Sequence, residues 1–230
     1  MSAQANRRIL RDIAATQDPL LAKQGIWYVP ALETIMKGKA IILGPPDTPY
    51  EHCLGLFDFE FPADYPFNPP KVKWATGDGM TRFHPQLYRE GKVCLSILGT
   101  WEGPGWSGVL NLVSILQVLQ SLLIKNPLIC EPGFEGGNLL EAKHREYNDY
   151  VEHQFAQLMV RDIKLWTSHP EGHHWAPFAD EIIPLLPELK KGLILKIEEK
   201  AKYPEFEWTS LPYGLKGRSY WKRLQGQLAP

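Results

Sequence analysis

The stretch "LGLFDFEFPADYPFNPP", residues 54–70, decides the fold. From Leu54 to Pro62 apolar and polar residues alternate: Phe57, Phe59 and Phe61 point one way, Asp58 and Glu60 the other. Successive side chains of an extended chain face opposite sides, so this period of two predicts a half-buried antiparallel strand. The four prolines of "PADYPFNPP" then forbid helix and central strand and hold a stiff, extended loop. Upstream, residues 39–43 form a short apolar run that stops at the turn signal "GPPDTPYEH"; downstream, residues 71–76 read as another short strand. A meander of about four strands is expected.

Working outward, residues 5–17 read as an amphipathic helix. Ile9, Leu10, Ile13 and Ala14 recur at helical spacing, Arg7, Arg8 and Arg11 lie on other sides, and Asp18-Pro19 ends it. Residues 83–98 have no period, and irregular chain against the sheet is expected. Ser107 is a plausible N-cap for a helix over about residues 108–124, buried on most sides and stopped by Asn126-Pro127. A long helix is expected from about Leu139, with Tyr147, Tyr150, Val151, Phe155, Leu158, Ile163 and Trp166 on one face, broken at "HPEGHHWAP". Leu189, Leu193, Ile194, Ile197 and Ala201 support a further helix, whose start Pro184 and Pro187 place near Glu188; the tail from Tyr203 is aromatic and basic without a clear period. Helix, antiparallel strands, then helices is an α+β order.

The bulk numbers bound the function. A chain of 230 residues suggests one domain with an extension, or two small domains. It is 44% hydrophobic and 22% charged, ordinary for a globular protein, and its net charge of -1 argues against a general polyanion binder. "MSAQANRRIL" lacks the apolar core of a secretory signal, and residues 108–124 are too short and too polar for a membrane span. Three cysteines, Cys53, Cys94 and Cys130, suggest a reducing compartment and match no zinc spacing. In "HPEGHH", residues 169–174, Pro170 and Gly172 break the helix that would set His169 and His173 on one face, so a solvated loop is expected and no metal site.

Chemistry centres on "FHPQLYREGKVCLSILGTW", residues 83–101. Cys94 reads two ways. Free cysteine is among the most buried residue types, and "VCLSIL" suits a small core segment. Against that, Cys94 stands in Gly- and Pro-rich irregular chain, where functional groups are displayed. Gln86 offers an amide donor for the oxyanion that forms when a thiolate attacks a carbonyl, and Glu131 in "NPLICEPGFE" offers a carboxylate to orient or deprotonate an amine. His84 is the nearby histidine a protease-like base would need, but before a proline it is as plausible as a structural hydrogen-bonder. There is no phosphate loop and no dinucleotide fingerprint. The residues alone reach a cysteine acyl carrier, with core packing still open.

Taken together in order, "RRILRDI", "GPPDTPYEHCLGLFDFEFPADYPFNPP", "HPQ", "GKVCLSIL" and the Trp106–Ser107 pair opening the next helix resemble a ubiquitin-conjugating enzyme over roughly residues 5–166. "ILGTWEGPGWS", "NPLICEPGFE" and the helices after Phe134 resemble the large, C-terminally extended class. The resemblance implies the family's α+β fold, an N-terminal helix, a four-stranded antiparallel meander and then helices, with a conjugating core over 1–166 and a helical extension over 167–230. It implies that an activating enzyme passes ubiquitin or a ubiquitin-like protein to Cys94 as a thioester, and that a substrate lysine or a ligase cysteine then attacks. Gln86 and Glu131 would serve the transfer and His84 would hold the loop. Arg7, Arg8 and Arg11 would meet the activating enzyme, and Phe67, Trp106 and Ser107 a ligase. No cofactor is implied, ATP being used upstream, and neither nucleic acid nor a membrane is an expected partner. The cytoplasm is the expected location, with the nucleus as a second. Three positions depart from the family pattern: Gln86 replaces asparagine, Gly108 a usual proline, and Ser96 a common aspartate. Gln86 is the feature behind the alternative reading, a catalytically weak or inactive binding module of the same fold.

Overall fold

The alternating strand read above is one of four antiparallel strands, β1 (Ile26–Ala31), β2 (Thr34–Leu43), β3 (Leu54–Glu60) and β4 (Lys71–Trp74), paired in that order. They are seen in a computed structural model of the chain, which describes residues 3–228. β2 meets β3 in unbroken register from Lys37↔Glu60 to Leu43↔Leu54, and β3 meets β4 from Phe57↔Trp74 to Glu60↔Lys71. Phe57, Phe59 and Phe61 are buried as the alternation requires, but Leu54, Gly55 and Leu56 are buried too. The first half of β3 is therefore covered on both faces, as a central strand is, and only from Asp58 onward does one face turn polar.

The described residues divide into two compact units. The first takes the chain up to residue 43, residues 54–76 and residues 86–122; the second takes residues 44–53, 77–85 and everything from 123 onward.

In the first unit, α1 (Ala3–Ala15) and α3 (Leu112–Ser121) pack on β2, and α2 (Pro19–Lys23) packs on β1. Asp18 caps α2, its side chain accepting from the Leu20 N–H. The start of α3 differs from the sequence expectation. Asn111, not Ser107, is its cap: the Asn111 carboxamide accepts from the Ser114 N–H at 2.9 Å and Ser114 Oγ reaches back to the Asn111 N–H, a reciprocal capping box. Gly108, Val109 and Leu110 stay outside the helix. On α1 the buried stripe is Ala5, Ile9 and Asp12, whereas Leu10 is exposed.

The second unit is built on α4 (Ala142–Ser168), which carries the apolar face expected for it, and on α5 (Ala179–Lys200). α5 starts nine residues before the position inferred from Pro184 and Pro187, which both lie inside it. Each proline removes one helical N–H, but both prolines and the residues whose carbonyls lose a donor, Asp180 and Ile183, are exposed, so water takes over those bonds. The apolar spacing Ile182, Leu189, Leu193, Ile197 holds the helix through them. Lys196 donates to the Glu51 carbonyl at 3.1 Å and pairs with the Glu152 carboxylate at 3.2 Å, while Gly192 leaves room for the His52 ring, which a Cβ there would meet at 2.3 Å. The tail forms a two-stranded ribbon, β5 (Glu207–Trp208) and β6 (Gly217–Arg218), and a short helix α6 (Trp221–Leu224). It lies against α4: Trp208 stands edge-on to Tyr150 at 5.2 Å, and the Tyr220 N–H donates to His153 Nε2 at 2.8 Å.

Candidate functional site

Cys94 follows a small hairpin. Leu87 and Val93 bridge antiparallel, the Tyr88 N–H donates to the Lys92 carbonyl at 2.9 Å, and Gly91, at φ 95°, turns the chain. Gly91 is needed for space as well as for its dihedral: a Cβ there would stand 2.9 Å from the Trp74 carbonyl, whose own N–H donates to Gly91 O at 2.8 Å. The hairpin thus rides on the end of β4. Its register sets Cys94 opposite Gln86, with the Cys94 N–H donating to the Gln86 carbonyl at 2.9 Å. On the other side, Thr100 Oγ1 accepts from the Leu95 N–H at 2.9 Å and donates to Val93 O at 2.7 Å, closing the chain around the cysteine. A 3-10 turn, Ser96–Leu98, ends at Gly99 in the left-handed region. The exposed run from Gly99 to Gly105 passes Ser96 so closely that a Cβ on Gly103 would meet Ser96 Cβ at 3.2 Å.

The structure therefore brings Cys94 and Gln86 together. Cys94 is 1% exposed, as is Cys53, so burial alone does not separate a nucleophile from a packing residue. Cys53 immediately precedes β3, its N–H donating to the Tyr50 carbonyl at 3.0 Å, and burial pushes its thiol up to about 12; Cys94 sits in irregular chain between the hairpin and the 3-10 turn.

Three further expected residues meet in the same unit. Phe67 is 75% exposed on the proline-rich loop. The Trp106 indole N–H donates to the Pro66 carbonyl at 2.7 Å, tying the second loop, with exposed Ser107, to the first. Gly108, in place of the usual proline, stands 3.4 Å from Pro66 O measured from an added Cβ, an ordinary contact. Of the three arginines, Arg7 and Arg11 are exposed. Arg8 turns inward: Nε pairs with Asp12 at 2.9 Å, and Nη1 and Nη2 donate to the Gly108 and Leu110 carbonyls at 2.8 and 2.5 Å.

His84 and Glu131 belong to the second unit. His84 is fully buried, and burial, helped by the nearby Arg82 charge, lowers its pKa to about 3. An imidazole of such low basicity is neutral at neutral pH. The segment is held by the hydroxyls of Tyr50 and Tyr147, which donate to the Phe83 and Arg82 carbonyls at 2.7 and 2.8 Å, and by Arg82 Nε, which donates to Pro85 O at 3.1 Å. Glu131 closes the 3-10 turn Pro127–Cys130, its N–H donating to Leu128 O at 3.0 Å. Its carboxylate accepts from the Tyr213 hydroxyl at 2.8 Å. Tyr213 escaped the sequence reading because a tail without periodicity gives no clue to where it folds back.

The histidine-rich stretch is only partly the solvated loop expected. Residues 169–172 are exposed, but His173 is buried and His174 half-buried, and their ligating atoms lie with those of Asp162 within 4.8 Å of one another. That set could hold a cation. The Asp162 carboxylate is already paired with Arg161 at 2.9 Å and His174 at 3.4 Å, and His173 Nδ1 accepts from the Trp175 N–H at 3.2 Å. Among the described residues no helix is long and apolar enough to cross a membrane.

The chain is similar to known proteins. The family profile described as ubiquitin-conjugating enzyme matches residues 8–155. The protein named ubiquitin-conjugating enzyme E2 Z is 44% identical over 168 residues in Xenopus tropicalis, 70% of this chain and 51% of that protein. The human protein of that name is 43% identical over 162 residues, 68% of this chain and 44% of its own. The chain thus spans about half the length of these curated relatives. Among solved structures, a Toxoplasma gondii ubiquitin conjugating enzyme E2 domain superposes with a TM-score of 0.51 at 27% identity, covering 66% of this chain and 97% of that domain.

Proposed function

Because the chain belongs to the ubiquitin-conjugating enzyme family, we propose that it takes ubiquitin or a ubiquitin-like protein from an activating enzyme as a thioester on Cys94. It then passes the acyl group to a lysine amine or a ligase cysteine. The observation that carries this reading is the family match over residues 8–155 with Cys94 in a hairpin-bounded loop whose backbone pairs with Gln86. Residues 1–166 act as the conjugating core, and 167–230 as its extension.

Loading is thioester exchange, which needs a thiolate and an activated acyl donor but no histidine base; the low basicity of His84 fits a structural role. Catalysis is then positioning and oxyanion stabilisation. The Gln86 amide serves the oxyanion, and Glu131 orients the incoming amine and accepts its proton. With Cys94 1% exposed, loading requires that its thiol be uncovered. Arg7 and Arg11 meet the activating enzyme, with Arg8 steadying the loop behind them, and Phe67, Trp106 and Ser107 meet a ligase. No cofactor is needed beyond the ATP consumed upstream. The reaction places the protein in the cytoplasm, with the nucleus as a second location, since both hold the pathway's free thiols.

The test is a loading reaction with ATP, magnesium and a panel of activating enzymes and their modifiers. A reductant-sensitive adduct that Cys94→Ala abolishes supports the reading. Adduct on Cys94→Ala refutes the site, and no adduct with any pair leaves the fold as a binding module.

A further inference from the structure

The C-terminal tail reaches the one carboxylate to which the proposed amine transfer assigns a proton. Tyr213 stands at φ 63°, ψ 18°, a left-handed conformation that costs a bulky side chain free energy and that among the described non-glycine residues only Asp47 and His52 share. Gly214 follows at φ 68°. The turn is closed by Leu211 N–H to Leu215 O at 3.1 Å and Leu215 N–H to Pro212 O at 3.3 Å, and Leu211 and Leu215 anchor it as buried side chains. This fixed turn aims one half-buried ring. Its hydroxyl donates to Glu131 Oε2 at 2.8 Å, its edge meets Tyr147 with centroids 5.8 Å apart, and the Arg82 guanidinium lies 4.2 Å over its face. Arg82 in turn donates to the Pro85 carbonyl. One tail residue thus couples the Glu131 loop to the segment that ends at Pro85, immediately before Gln86.

We propose that Tyr213 is a positioning residue for transfer to amines: its hydroxyl fixes the Glu131 carboxylate in the orientation that receives the proton of an attacking lysine. The proposal rests on the role given above to Glu131. In the step it serves, the amine nitrogen attacks the thioester carbonyl carbon. The C–N bond forms, the C–S bond breaks, sulfur leaves as the Cys94 thiolate, and the amine proton passes to Glu131 and on to water. Transfer to a cysteine thiol has no such demand, because the thiol ionises near neutral pH without help. The extension therefore sets the preference between acceptor classes: with Tyr213 in place lysine competes, and without it thiols are favoured. A purely packing role for Tyr213 leaves its strained backbone and its aim at Glu131 unexplained, since a phenylalanine would fill the same space.

The experiment uses the full chain preloaded with modifier and chased with free lysine or free cysteine, comparing the native protein, Tyr213→Phe, Glu131→Ala and the double variant from pH 7 to 10. Phenylalanine keeps the ring, so loading from the activating enzyme, unchanged, certifies the fold. The expected result is discharge to lysine slowed about three- to tenfold at pH 7, the size expected for losing one hydrogen bond to a charged group that only orients it. The deficit shrinks toward pH 10, where the amine deprotonates unaided. Discharge to cysteine stays at the native rate, and the double variant is no slower than Glu131→Ala. Native lysine discharge by Tyr213→Phe, with Glu131→Ala slow, overturns the proposal and leaves the role of Glu131 standing. A deficit equal at all pH values and for both acceptors, or one that adds to that of Glu131→Ala, also overturns it. If Glu131→Ala itself discharges at the native rate, the reading of Glu131 fails and the proposal falls with it.

Discussion

Replacing Arg8 with alanine should destabilise the protein more than replacing either neighbouring arginine, and the structure sets the size. The Arg8 side chain is 20% exposed and that of its partner Asp12 only 4%, at 2.9 Å. Two further N–H groups hold the carbonyls of Gly108 and Leu110. Removing one partner of a buried pair costs about 3–5 kcal/mol, because it strands a desolvated charge. Two circumstances reduce that here. Tyr65 still donates to Asp12, and water reaches the partly open arginine side. About 2–3 kcal/mol remains, which for a chain of this size lowers Tm by roughly 5–10 °C. Arg7→Ala and Arg11→Ala, at exposed positions, should stay within about 0.5 kcal/mol. Thermal melts of the three variants make the comparison, with Asp12→Asn added to Arg8→Ala as a control: the neutral amide removes the stranded charge and should recover part of the loss, so the two changes are not additive. Loading assayed well below the melting point separates this structural loss from weakened binding of the activating enzyme. An Arg8→Ala protein melting within about 1 °C of native would show that the Asp12 pair contributes little, and the reasoning would fail.

Phe67→Ala should leave stability within about 0.5 kcal/mol, because the ring is 75% exposed, yet should lower ligase-stimulated discharge; unchanged stimulation would remove Phe67 from that role. Gln86→Asn should raise discharge to lysine while loading stays the same, if the amide serves the oxyanion; equal discharge counts against it. Acid should weaken the fold through buried histidines. Burial lowers His84 to about 3 and His153 to about 4, against about 6.5 when unfolded. The unfolded chain therefore takes up these protons first, and the stability is present above about pH 6.5 and is lost as pH falls toward the folded values. Between pH 6.5 and 5 each histidine contributes a loss of about 2 kcal/mol. Urea midpoints at those two pH values measure it, and coincident midpoints would mean that both rings are solvated.

Much of the fold was legible because β3 alternates and because prolines and glycines punctuate the strands. The same punctuation misled at α5. Pro184 and Pro187 are helix breakers when the orphaned carbonyls are buried, and the sequence does not say that these face water. At α3 both Ser107 and Asn111 are good caps, and the choice fell to the residue whose partner three positions on, Ser114, could return the bond. Asp12 carries no signal of burial in its own helix. Only the arrival of Tyr65, 53 residues later, makes it a buried acceptor. For the candidate site, local chemistry pointed to Cys94 and Gln86, whose backbone pairing follows from the short hairpin between them. The Glu131–Tyr213 bond spans 82 residues between two irregular segments, and no periodic pattern announces it.

The most direct test of the central claim is a mass map of the adduct trapped on Cys94→Ser. Serine in place of cysteine turns the labile thioester into a reductant-resistant ester. Digestion after loading should find the modifier's C-terminal carboxyl on residue 94. Finding it on Cys53 or Cys130, or finding a full-strength adduct on Cys94→Ala, would contradict the account.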